Sequence, residues 1–527
     1  MCLAVSNDTV SWRKPSVGLV KFGNSTDNNI LLGVGGYIEP GMVFIDRKPG
    51  VPAAEKYKMV ASYHGGATMF ASADGVAFRP LTDKPSLTGS DTQDVVFWDA
   101  RYNSYAYYGR THERPQAGQP CPAGTQPASR SIGRMLIGTN VTDWPIHSAN
   151  DVTTIFNVDR DDPPCFDVYT NGATPYAGIY LMFPLMFLHF PGPVNDGLLE
   201  PRLLASRDGV NFSYVGGNGR DAFVPRGPGV QRHGHVGIFK GAFDAAATAM
   251  ARGIFEVGNK LVMLAYGSQY THGGYQGWLT PGGPVLSGLQ RLELRKDGFG
   301  SLAAANSTTT AAARTVPLRL PACPAGVALQ LLINAQGSIS GHFAVSLIHP
   351  GNGSEVAGFA RADAVPMVGN FIDQPAAWGH PTPPAPAKPR TTCTYELPGG
   401  LVCSDGYIPM TCAEAKRLDP VKGCAAHGCK NKPTSCVTPS AGPPVCRGAG
   451  NGTELCVLSV LPPPAPTPPA TLHTDLRQFG GAELQLQLEL RDADLYSFQF
   501  SCGNQSKGTD VAGRAGRMSS AHTTVSL

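Results

Sequence analysis

In the N-terminal three fifths of the chain, short apolar and aromatic runs alternate with turn-forming residues. The clearest group covers residues 94–99, 104–110 and 134–139, and a fourth strand is expected after Trp144. The same order returns within residues 41–72, 167–206 and 252–295. Short β-branched and aromatic runs separated by turn signals are typical of all-β proteins. The pattern therefore predicts successive antiparallel sheets of about four strands each.

A short phrase of turn residues recurs along these groups. Its copies begin at Ser6, Ser72, Thr139 and Ser206, so they are 66, 67 and 67 residues apart. Ser and Asp side chains bond to nearby backbone, Gly tolerates a positive φ, and the aromatic residue that follows packs beneath the turn. A fixed period of this size indicates stacked supersecondary units. Counting a partial first unit, the repeats predict a five-bladed β-propeller.

The start of the chain falls in the middle of this pattern. Residues 1–6 align with residues 69–72, the third strand of a blade, so the first blade is expected to be incomplete at its N-terminal side. The first residues also lack the basic, apolar and small-residue regions of a signal peptide. We expect Met1 to be an internal start, with a signal peptide and two strands upstream. In the alternative, the opening strands close another blade.

The rest of the sequence predicts a second all-β domain that carries an insertion. Residues 483–490 alternate strictly between polar and apolar side chains, as in a sandwich strand with one buried face. Pro-rich stretches at 381–389 and 462–469 flank a segment with eight cysteines. We predict a propeller at 1–318, a β-sandwich in two segments at 319–385 and 470–502, a Cys-rich insertion at 386–469 and a flexible tail at 503–527.

Cysteines and glycosylation motifs indicate an oxidising, extracellular location. The chain has 13 cysteines, and dense cysteines are typical of secreted domains held by disulfides. Their spacing does not fit a zinc template, so we expect disulfides and no metal site. The Asn-x-Ser/Thr motifs, which are candidate glycosylation sites, lie at Asn7, Asn24, Asn140, Asn211, Asn306, Asn352, Asn451 and Asn504. The sequence therefore predicts a secreted glycoprotein.

Charge and hydropathy argue against two classes of partner. A formal net charge of +3 over 527 residues gives no electrostatic basis for binding nucleic acid. No apolar stretch reaches the length of a membrane span. Residues 179–190 are apolar, but they are short and interrupted by Pro184. We therefore expect neither nucleic acid nor a membrane as a partner.

Acidic residues recur where first strands begin. First strands line the axis of a propeller, so their leading carboxylates are expected to converge on one funnel. Glycoside hydrolysis needs such a pair, because one carboxyl protonates the leaving oxygen and the other acts as base or nucleophile. Crowding raises the pKa of one member and so supplies the acid. The catalytic candidates are Asp94, Asp91, Asp167, Glu39 and Glu200.

Candidate binding residues come from the same face of the blades. Arg110 could anchor a substrate hydroxyl or carboxylate, or form a salt bridge between blades. The other substrate-binding candidates are His112, Tyr169, Asn171, Asp244 and His272. The acids have a structural alternative as strand caps or as ligands of a calcium ion at the axis, and we expect no other cofactor.

Two further groups of polar residues are expected to be structural. The tyrosines of the second strand, Tyr105, Tyr107 and Tyr108, are expected to pack in the core rather than to bind sugar. Aspartates on the opposite face of the blades are expected to form turns, and these are Asp46, Asp74, Asp99 and Asp208.

Several short motifs are distributed along the predicted propeller and the domain after it. They lie at residues 14–20, 27–30, 55–58, 90–94, 97–99 and 206–209, and in the second domain at 331–334, 358–359 and 492–498. These motifs resemble uncharacterised secreted proteins related to the five-bladed propellers of glycoside hydrolase families 32 and 43, which carry a trailing β-sandwich. Together they cover most of the chain outside the Cys-rich insertion.

The resemblance implies a function and a set of catalytic residues. In those hydrolases three acids begin consecutive first strands, and Glu39, Asp91 or Asp94, and Asp167 match them by location. None of these residues carries the surrounding Asn-Asp-Pro, Arg-Asp-Pro or Glu-Cys motif of the families. The resemblance implies a hydrolase of extracellular polysaccharide, with Asp94 or Asp91 as base or nucleophile and Asp167 or Glu200 as acid.

Two other functions remain open on the sequence. A non-catalytic carbohydrate-binding or cell-wall scaffold protein would keep the funnel without the reaction. A lipid-binding or protein-binding propeller is the third alternative. The Pro-rich tethers suggest that the Cys-rich insertion contacts the cell wall or the extracellular matrix.

Overall fold

The computed structural model describes most of the chain. It covers residues 1–33, 38–91, 93–113, 121, 129–190, 195–216, 220–231, 237–274, 286–306, 308–379 and 472–503, and six short strands beyond residue 393. Within these residues the elements are β-strands and three-residue 3₁₀ turns, which confirms the all-β class. Three predicted features lie outside the described residues. They are the side chain of Glu39, the glycosylation candidates Asn451 and Asn504, and most of the Cys-rich insertion.

The first two sheets follow chain order, as the sequence predicts. The first consists of β1 (Ile38–Ile45), β2 (Tyr57–Tyr63), β3 (Gly66–Ser72) and β4 (Arg79–Pro80), with β5 (Leu87–Thr88) also paired to β3. The second consists of β6 (Val95–Asp99), β7 (Ser104–Thr111), β8 (Ser131–Gly138) and β9 (Thr154–Phe156). All neighbours within these sheets are antiparallel.

The third group of strands, called the third sheet below, keeps this order but is interrupted, so that it forms two ladders, one of which also pairs in parallel with the fourth group between Leu199 and Ala247. Its strands are β10 (Phe166–Thr170) and β11 (Thr174–Tyr176), β12 (Ile179–Met182) and β13 (Leu185–His189), β14 (Gly197–Pro201) and β15 (Leu204–Ser206), and finally β16 (Ser213–Tyr214). The second strand breaks at Pro184, which has no N–H to give to a ladder. The apolar stretch at residues 179–190 therefore contains two strands, β12 and β13.

The fourth sheet completes the propeller strands. A hairpin of β17 (Gly229–Gln231) and β18 (Phe239–Gly241) precedes it. The sheet consists of β19 (Ala247–Met250) and β20 (Phe255–Val257), which both pair with β21 (Lys260–Ser268), and β22 (Ser287–Arg295). The innermost strand is thus in two pieces, separated at residues 251–254.

The four sheets stack face to face in chain order. Val96 and Tyr107 face the first sheet and pack with its Val60. Their neighbours Val95 and Tyr108 belong to the core shared with the third sheet. This alternation buries both faces of the second sheet, and the third and fourth sheets share another core. Sheets stacked in this way form a β-propeller. Tyr105, Tyr107 and Tyr108 of β7 are buried, which confirms that they pack in the core.

The N-terminal segment, residues 1–33, lies between the first and fourth sheets. Met1 packs against the far face of the first sheet near Met59, and Thr9 Oγ1 accepts a hydrogen bond of 2.6 Å from Arg291 of β22. The segment therefore occupies a further position in the ring. On either side of it, Val43 and Phe255 stay about half exposed. Five blades remain a prediction, because residues 1–33 form isolated bridges rather than a four-stranded sheet.

The repeated phrase forms the same turn in three of its four copies. Ser72 Oγ accepts from the N–H of Asp74 and Gly75, and Asp74 Oδ1 accepts from the N–H of residues 76 and 77. The corresponding side chains at residues 6–11 and 206–211 make the same bonds. Asp74 and Asp208 are therefore turn-forming, as expected from the sequence.

The C-terminal sheet is built on two strands of 20 residues each, β26 (Leu329–Ile348) and β33 (Glu483–Cys502). Pairing to β33 are β23 (Leu302–Ala303), β24 (Ala311–Arg314), β25 (Leu318–Arg319) and β34 (Thr523–Ser526), while β27 (Asn370–Pro375) pairs with β26. Between them in the chain lie β28 (Thr394–Leu397), β29 (Leu401–Ser404), β30 (Ile408–Thr411), β31 (Arg447–Gly448) and β32 (Glu454–Leu458). Because β23 already belongs to this sheet, the sheet begins before the predicted boundary at residue 318.

An irregularity folds the two long strands into a sandwich. The register of β26 with β33 shifts between Gly337 and His342. Residues on both sides of the shift, Leu331 and Val345 among them, belong to one core around Trp378. A disulfide between Cys323 and Cys502 joins the end of β33 to the segment before β26.

Other sequence expectations concern the surface and the cysteines. A second disulfide joins Cys121 to Cys165, and Cys2 is free and exposed. The described glycosylation candidates are all exposed, namely Asn7, Asn24, Asn140, Asn211, Asn306 and Asn352; their glycosylation remains a prediction. Among the described residues, no helix has the length and apolar character that crossing a membrane would require.

Candidate functional site

An arginine at the end of β7 joins the second sheet to the third. Arg110 forms an ion pair with Asp91, and its Nε and Nη2 donate to the carbonyl oxygen of Tyr169 at 2.9 and 2.6 Å. Its guanidinium also lies 4.6 Å from the centre of the Tyr169 ring. The side chain of Asp91 is 51% exposed. Arg110 thus bridges blades and leaves a carboxylate open to solvent.

A second ion pair surrounds Asp167 on β10. Arg130 Nη1 lies 2.9 Å and His189 Nε2 lies 3.2 Å from Asp167 Oδ2, and Asp167 is fully buried. Burial by itself raises the pKa of this carboxyl. The hydrogen bond from His189 and the charge of Arg130 outweigh burial and lower the pKa. Asp167 is therefore ionised at neutral pH.

Aromatic rings form the wall beside these charges. Tyr169 makes edge contacts with Phe187 at 5.7 Å and with His272 at 4.9 Å, and Arg130 lies 5.5 Å from the Tyr169 ring centre. His272 follows β21, so the fourth sheet also contributes. Burial lowers the pKa of His272, which keeps its ring neutral. The residues that meet here, named the polar cluster below, are Asp91, Arg110, Arg130, Asp167, Tyr169, His189 and His272.

Asp94 lies just before β6 and is almost completely buried, with 1% exposed. Ser90 Oγ is 2.6 Å from both of its oxygens, and the Tyr107 hydroxyl donates to Oδ1 at 2.7 Å. Burial raises the pKa of Asp94 to about 6, against the lowering effect of these hydrogen bonds. Gly109 leaves the necessary space, because a Cβ there would lie 1.8 Å from the Tyr107 hydroxyl.

Arg252 reaches this region from the break between β19 and β20. Its Nη2 donates to the carbonyl oxygens of Asn171 at 2.7 Å and Gln93 at 3.1 Å. Gln93 has a φ of +58°, which turns the backbone ahead of Asp94. Burial lowers the pKa of Arg252 to about 9, and the charge of Asp94 raises it again in part.

Three of the predicted site residues are engaged in structural contacts. Glu200 pairs with Arg202 at 3.0 Å and with Arg226 at 3.4 Å. Asp244 accepts from Gln290 Nε2 at 2.6 Å. Asn171 Nδ2 donates to the carbonyl oxygen of Gln93 at 3.1 Å. This bond holds in place the break between β10 and β11.

The remaining site candidates are His112, Glu39 and the predicted calcium ion. His112 is only partly buried, and this partial burial, together with the charges of Arg110 and Arg130, lowers its pKa. The backbone of Glu39 pairs with Ser62 in β1, but its side chain is outside the described residues. The described residues hold no group of three or more His, Cys, Asp or Glu side chains arranged for a metal ion. The calcium ion at the axis therefore remains an untested prediction.

Sequence reasoning missed Arg130 and Arg252 and left His189 out of its site residues. Arg130 precedes β8 and Arg252 interrupts a first strand, and neither position carries a periodic or motif signal. His189 is the last residue of β13 and follows an apolar run. Its position at the end of a strand is the one feature of the sequence that could have indicated a site residue. Their contacts cross between sheets, over separations that no local pattern encodes.

Comparisons with known proteins give glycoside hydrolases, the class that the sequence motifs resemble. A glycoside hydrolase matches with 12% identity over 51% of this chain and 75% of its own, at a TM-score of 0.31. A fructofuranosidase from Schwanniomyces occidentalis complexed with fructosylnystose matches with 12% identity over 67% of this chain and 66% of its own, at a TM-score of 0.29.

An endo-arabinase from Bacteroides thetaiotaomicron matches with 10% identity over 65% of this chain and 96% of its own, at a TM-score of 0.28. No protein-family model and no curated protein matches the sequence. Likenesses this partial assign neither an activity nor a residue, so the function rests on the geometry of the site.

Proposed function

We propose that the protein is a glycoside hydrolase that cleaves an extracellular polysaccharide or glycan in the funnel formed by its second, third and fourth sheets. The observation that supports this is the polar cluster. There the carboxylates Asp91 and Asp167 come together with two arginines and the Tyr169 ring. Sugar hydroxyls suit charged donors and acceptors, and the apolar face of a sugar ring suits an aromatic side chain.

The two buried acids differ in the way that acid–base catalysis requires. Asp94, with a pKa of about 6, retains a proton in mildly acidic solution and is our candidate for the general acid. Asp167, with a lowered pKa, is our candidate for the base or nucleophile. Pairs of carboxyls whose surroundings separate their pKa values mark such roles. These roles are the reverse of those that the sequence resemblance implies.

The residues that contact these two acids support the proposed roles. His189 and Arg130 fix the orientation of the Asp167 carboxylate and keep it ionised. Ser90 and Tyr107 hold the Asp94 carboxyl, and its proton can be passed on only if the carboxyl becomes accessible when substrate binds. Asp91 offers an exposed acceptor for a sugar hydroxyl next to Arg110.

A second candidate function is non-catalytic carbohydrate binding. The observation in its favour is that Asp94 and Asp167 are 1% and 0% exposed. Both oxygens of Asp94 already accept hydrogen bonds. In this alternative the two acids hold the blades together, while Asp91, Arg110 and Tyr169 bind the ligand.

Substitutions of single acids distinguish the two functions. We expect the wild type to release reducing sugar from at least one member of a panel of extracellular polysaccharides. Asp94→Asn and Asp167→Asn should each lower kcat by at least about 10²-fold and leave binding of that polysaccharide within a few fold. Asp244→Asn is the matched control, because Asp244 is a buried aspartate bonded to Gln290 and should retain activity.

The outcomes are separable. Binding without sugar release by the wild type, together with reduced affinity in Tyr169→Ala, would establish the binding protein instead. Full activity in both Asp94→Asn and Asp167→Asn would exclude these residues as the catalytic pair. We also propose that the protein is secreted, in keeping with its two disulfides, and that the Cys-rich insertion contacts the cell wall or matrix.

A further inference from the structure

A loop of the fourth sheet is tied to the third sheet beside the polar cluster. The loop, residues 271–274, follows β21 and carries His272. The backbone N–H of His272 donates to the carbonyl oxygen of Gly197, the first residue of β14, at 3.0 Å. The ring nitrogen Nδ1 of His272 lies 3.0 Å from the carbonyl oxygen of Asn195. Because a carbonyl oxygen can only accept, Nδ1 carries the hydrogen in this contact.

Asp196 makes the third bond of this attachment. Its Oδ1 accepts the N–H of Gly273 at 2.6 Å and that of Gly197 at 2.7 Å. The residue is 2% exposed, and the N–H of Phe190 donates to its carbonyl oxygen at 2.9 Å. A buried N–H without an acceptor is costly, so the side chain of Asp196 fixes the loop to the hairpin of β13 and β14.

The close approach of the loop depends on glycine at position 273. A Cβ there would lie 2.7 Å from Cγ and 2.8 Å from Cβ of Asp196. Contacts this short are not tolerated, so a larger residue would push the loop away from the carboxyl group. The attachment can therefore be disturbed from either side, at Asp196 or at Gly273.

This attachment determines where the ring of His272 lies. The ring centre is 4.9 Å from that of Tyr169 and 4.7 Å from that of Phe187. Tyr169 is in turn the ring that contacts Arg110 and Arg130. The aromatic wall of the polar cluster is thus supported from the fourth sheet through His272, and His272 is supported through Asp196.

We propose that Asp196 is a positioning residue for ligand binding, which holds His272 against Tyr169 and so keeps the aromatic wall in its binding geometry. The inference rests on the proposed function, in which Tyr169 contacts the sugar, and it applies equally to hydrolysis and to binding without reaction. Asp196 is buried and acts through His272 rather than on the ligand.

The position of the His272 ring can be measured without any ligand. The NMR frequencies of a histidine ring respond to the aromatic rings beside it, and the chain has 13 histidines that can be labelled. His272→Gln assigns the signal by its disappearance. We expect Asp196→Ala and Gly273→Ala each to move the His272 signal, and Asp196→Asn to leave it in place, because the amide oxygen still accepts both N–H groups.

Two controls separate displacement of the ring from a general loss of structure. The signal of His342, which lies in β26 of the sandwich, should not move in any of these variants. Asp244→Ala removes another buried aspartate of the propeller and should leave the His272 signal in place. An unchanged His272 signal in both Asp196→Ala and Gly273→Ala would overturn the proposal.

A double-mutant cycle tests the effect on binding. Asp196→Ala should weaken binding of the polysaccharide by about tenfold, the equivalent of one ordinary hydrogen bond. In a His272→Ala background, Asp196→Ala should cause no further loss, because the two residues act in series. Independent, additive losses would contradict a role through His272. If the wild type binds no polysaccharide, the proposed function fails, whereas the NMR result still decides whether Asp196 holds His272.

Discussion

At the scale of single residues, the decisive feature is how each buried charge is neutralised. Asp167 lies in contact with a guanidinium and an imidazole, whereas Asp94 receives only hydroxyl donors. The same residue type therefore has a lowered pKa in one case and a raised pKa in the other. Neighbours, rather than residue type, determine which carboxyl carries a proton.

The raised pKa of Asp94 makes stability depend on pH. Its folded-state pKa of about 6 exceeds the ordinary aspartate value of 3.8, so the folded state binds the proton more tightly than the unfolded state. The resulting stabilisation is present below about pH 4 and is lost as the pH rises through 6. It amounts to about 3 kcal/mol for a shift of this size.

We therefore expect the unfolding free energy of the wild type, compared with that of Asp94→Asn, to fall by up to about 3 kcal/mol from pH 4 to pH 7. Denaturant titrations at several pH values measure this difference. Asp167→Asn should show the opposite sign, because the lowered pKa of Asp167 stabilises the fold at higher pH. If the difference in unfolding free energy between the wild type and Asp94→Asn does not vary with pH, the pKa of Asp94 is not raised.

At the scale of elements, aspartates that end the innermost strands do more than form turns. Asp46 and Asp99 accept backbone N–H groups of their turns through Oδ1. Through Oδ2, Asp46 accepts the hydroxyl of Tyr105 at 2.6 Å, and Asp99 accepts that of Tyr180 at 2.7 Å. Each tyrosine is on the second strand of the next sheet. The repeat thus contains a hydrogen bond that joins the first sheet to the second and the second to the third.

Removing these hydroxyls should destabilise the fold unequally. In Tyr105→Phe, Asp46 keeps its ion pair with Lys58 at 2.8 Å, so we expect a loss of about 1 kcal/mol. In Tyr180→Phe, Asp99 keeps only a contact of 3.7 Å with Arg134, so we expect a loss of about 2–3 kcal/mol. Urea unfolding monitored by fluorescence tests the order. Equal losses, or a larger loss in Tyr105→Phe, would show that the cation left beside the aspartate does not compensate for the missing tyrosine hydroxyl.

At the scale of the whole molecule, the C-terminal sheet is attached to the propeller through buried polar contacts. Asp297, just after β22, accepts the Tyr176 hydroxyl of the third sheet and the Ser497 hydroxyl of β33, each at 2.5 Å. Arg295 Nε donates to Asn334 Oδ1 of β26 at 2.8 Å. These contacts fix the sandwich against the propeller, on segments that are far apart in sequence.

The disulfide Cys323–Cys502 closes the longest cross-link in the described chain, with a sequence separation of 179. We expect the double substitution Cys323→Ser and Cys502→Ser to lower the unfolding free energy by about 2–4 kcal/mol. Chemical unfolding under non-reducing conditions measures this loss. Cys2→Ser is the control, because Cys2 is free and exposed and should leave stability unchanged. A reducing agent without effect on the wild type would show that this bond does not stabilise the fold.

Much of the architecture could be predicted because its signals are local. The alternation in residues 483–490 predicts one strand face in the core, and the structure buries Leu484, Leu486, Leu488 and Leu490 there. The Ser-x-Asp-Gly phrase specifies a turn through bonds that span two or three residues. The interruption at Pro184 is visible in the sequence, whereas the other breaks of the third sheet, between β10 and β11 and between β14 and β15, are not.

The sequence by itself determined the β class, the repeated turn and the acidic candidates, since each depends on residues within a few positions of one another. The tertiary structure decided which of those acids are paired, buried or exposed. Arg110 meets Tyr169 across 59 positions, and Arg252 meets Gln93 across 159. A charge is neutralised by whatever lies within a few ångströms. That neighbour is set by how the sheets stack, and no local pattern of residues encodes it.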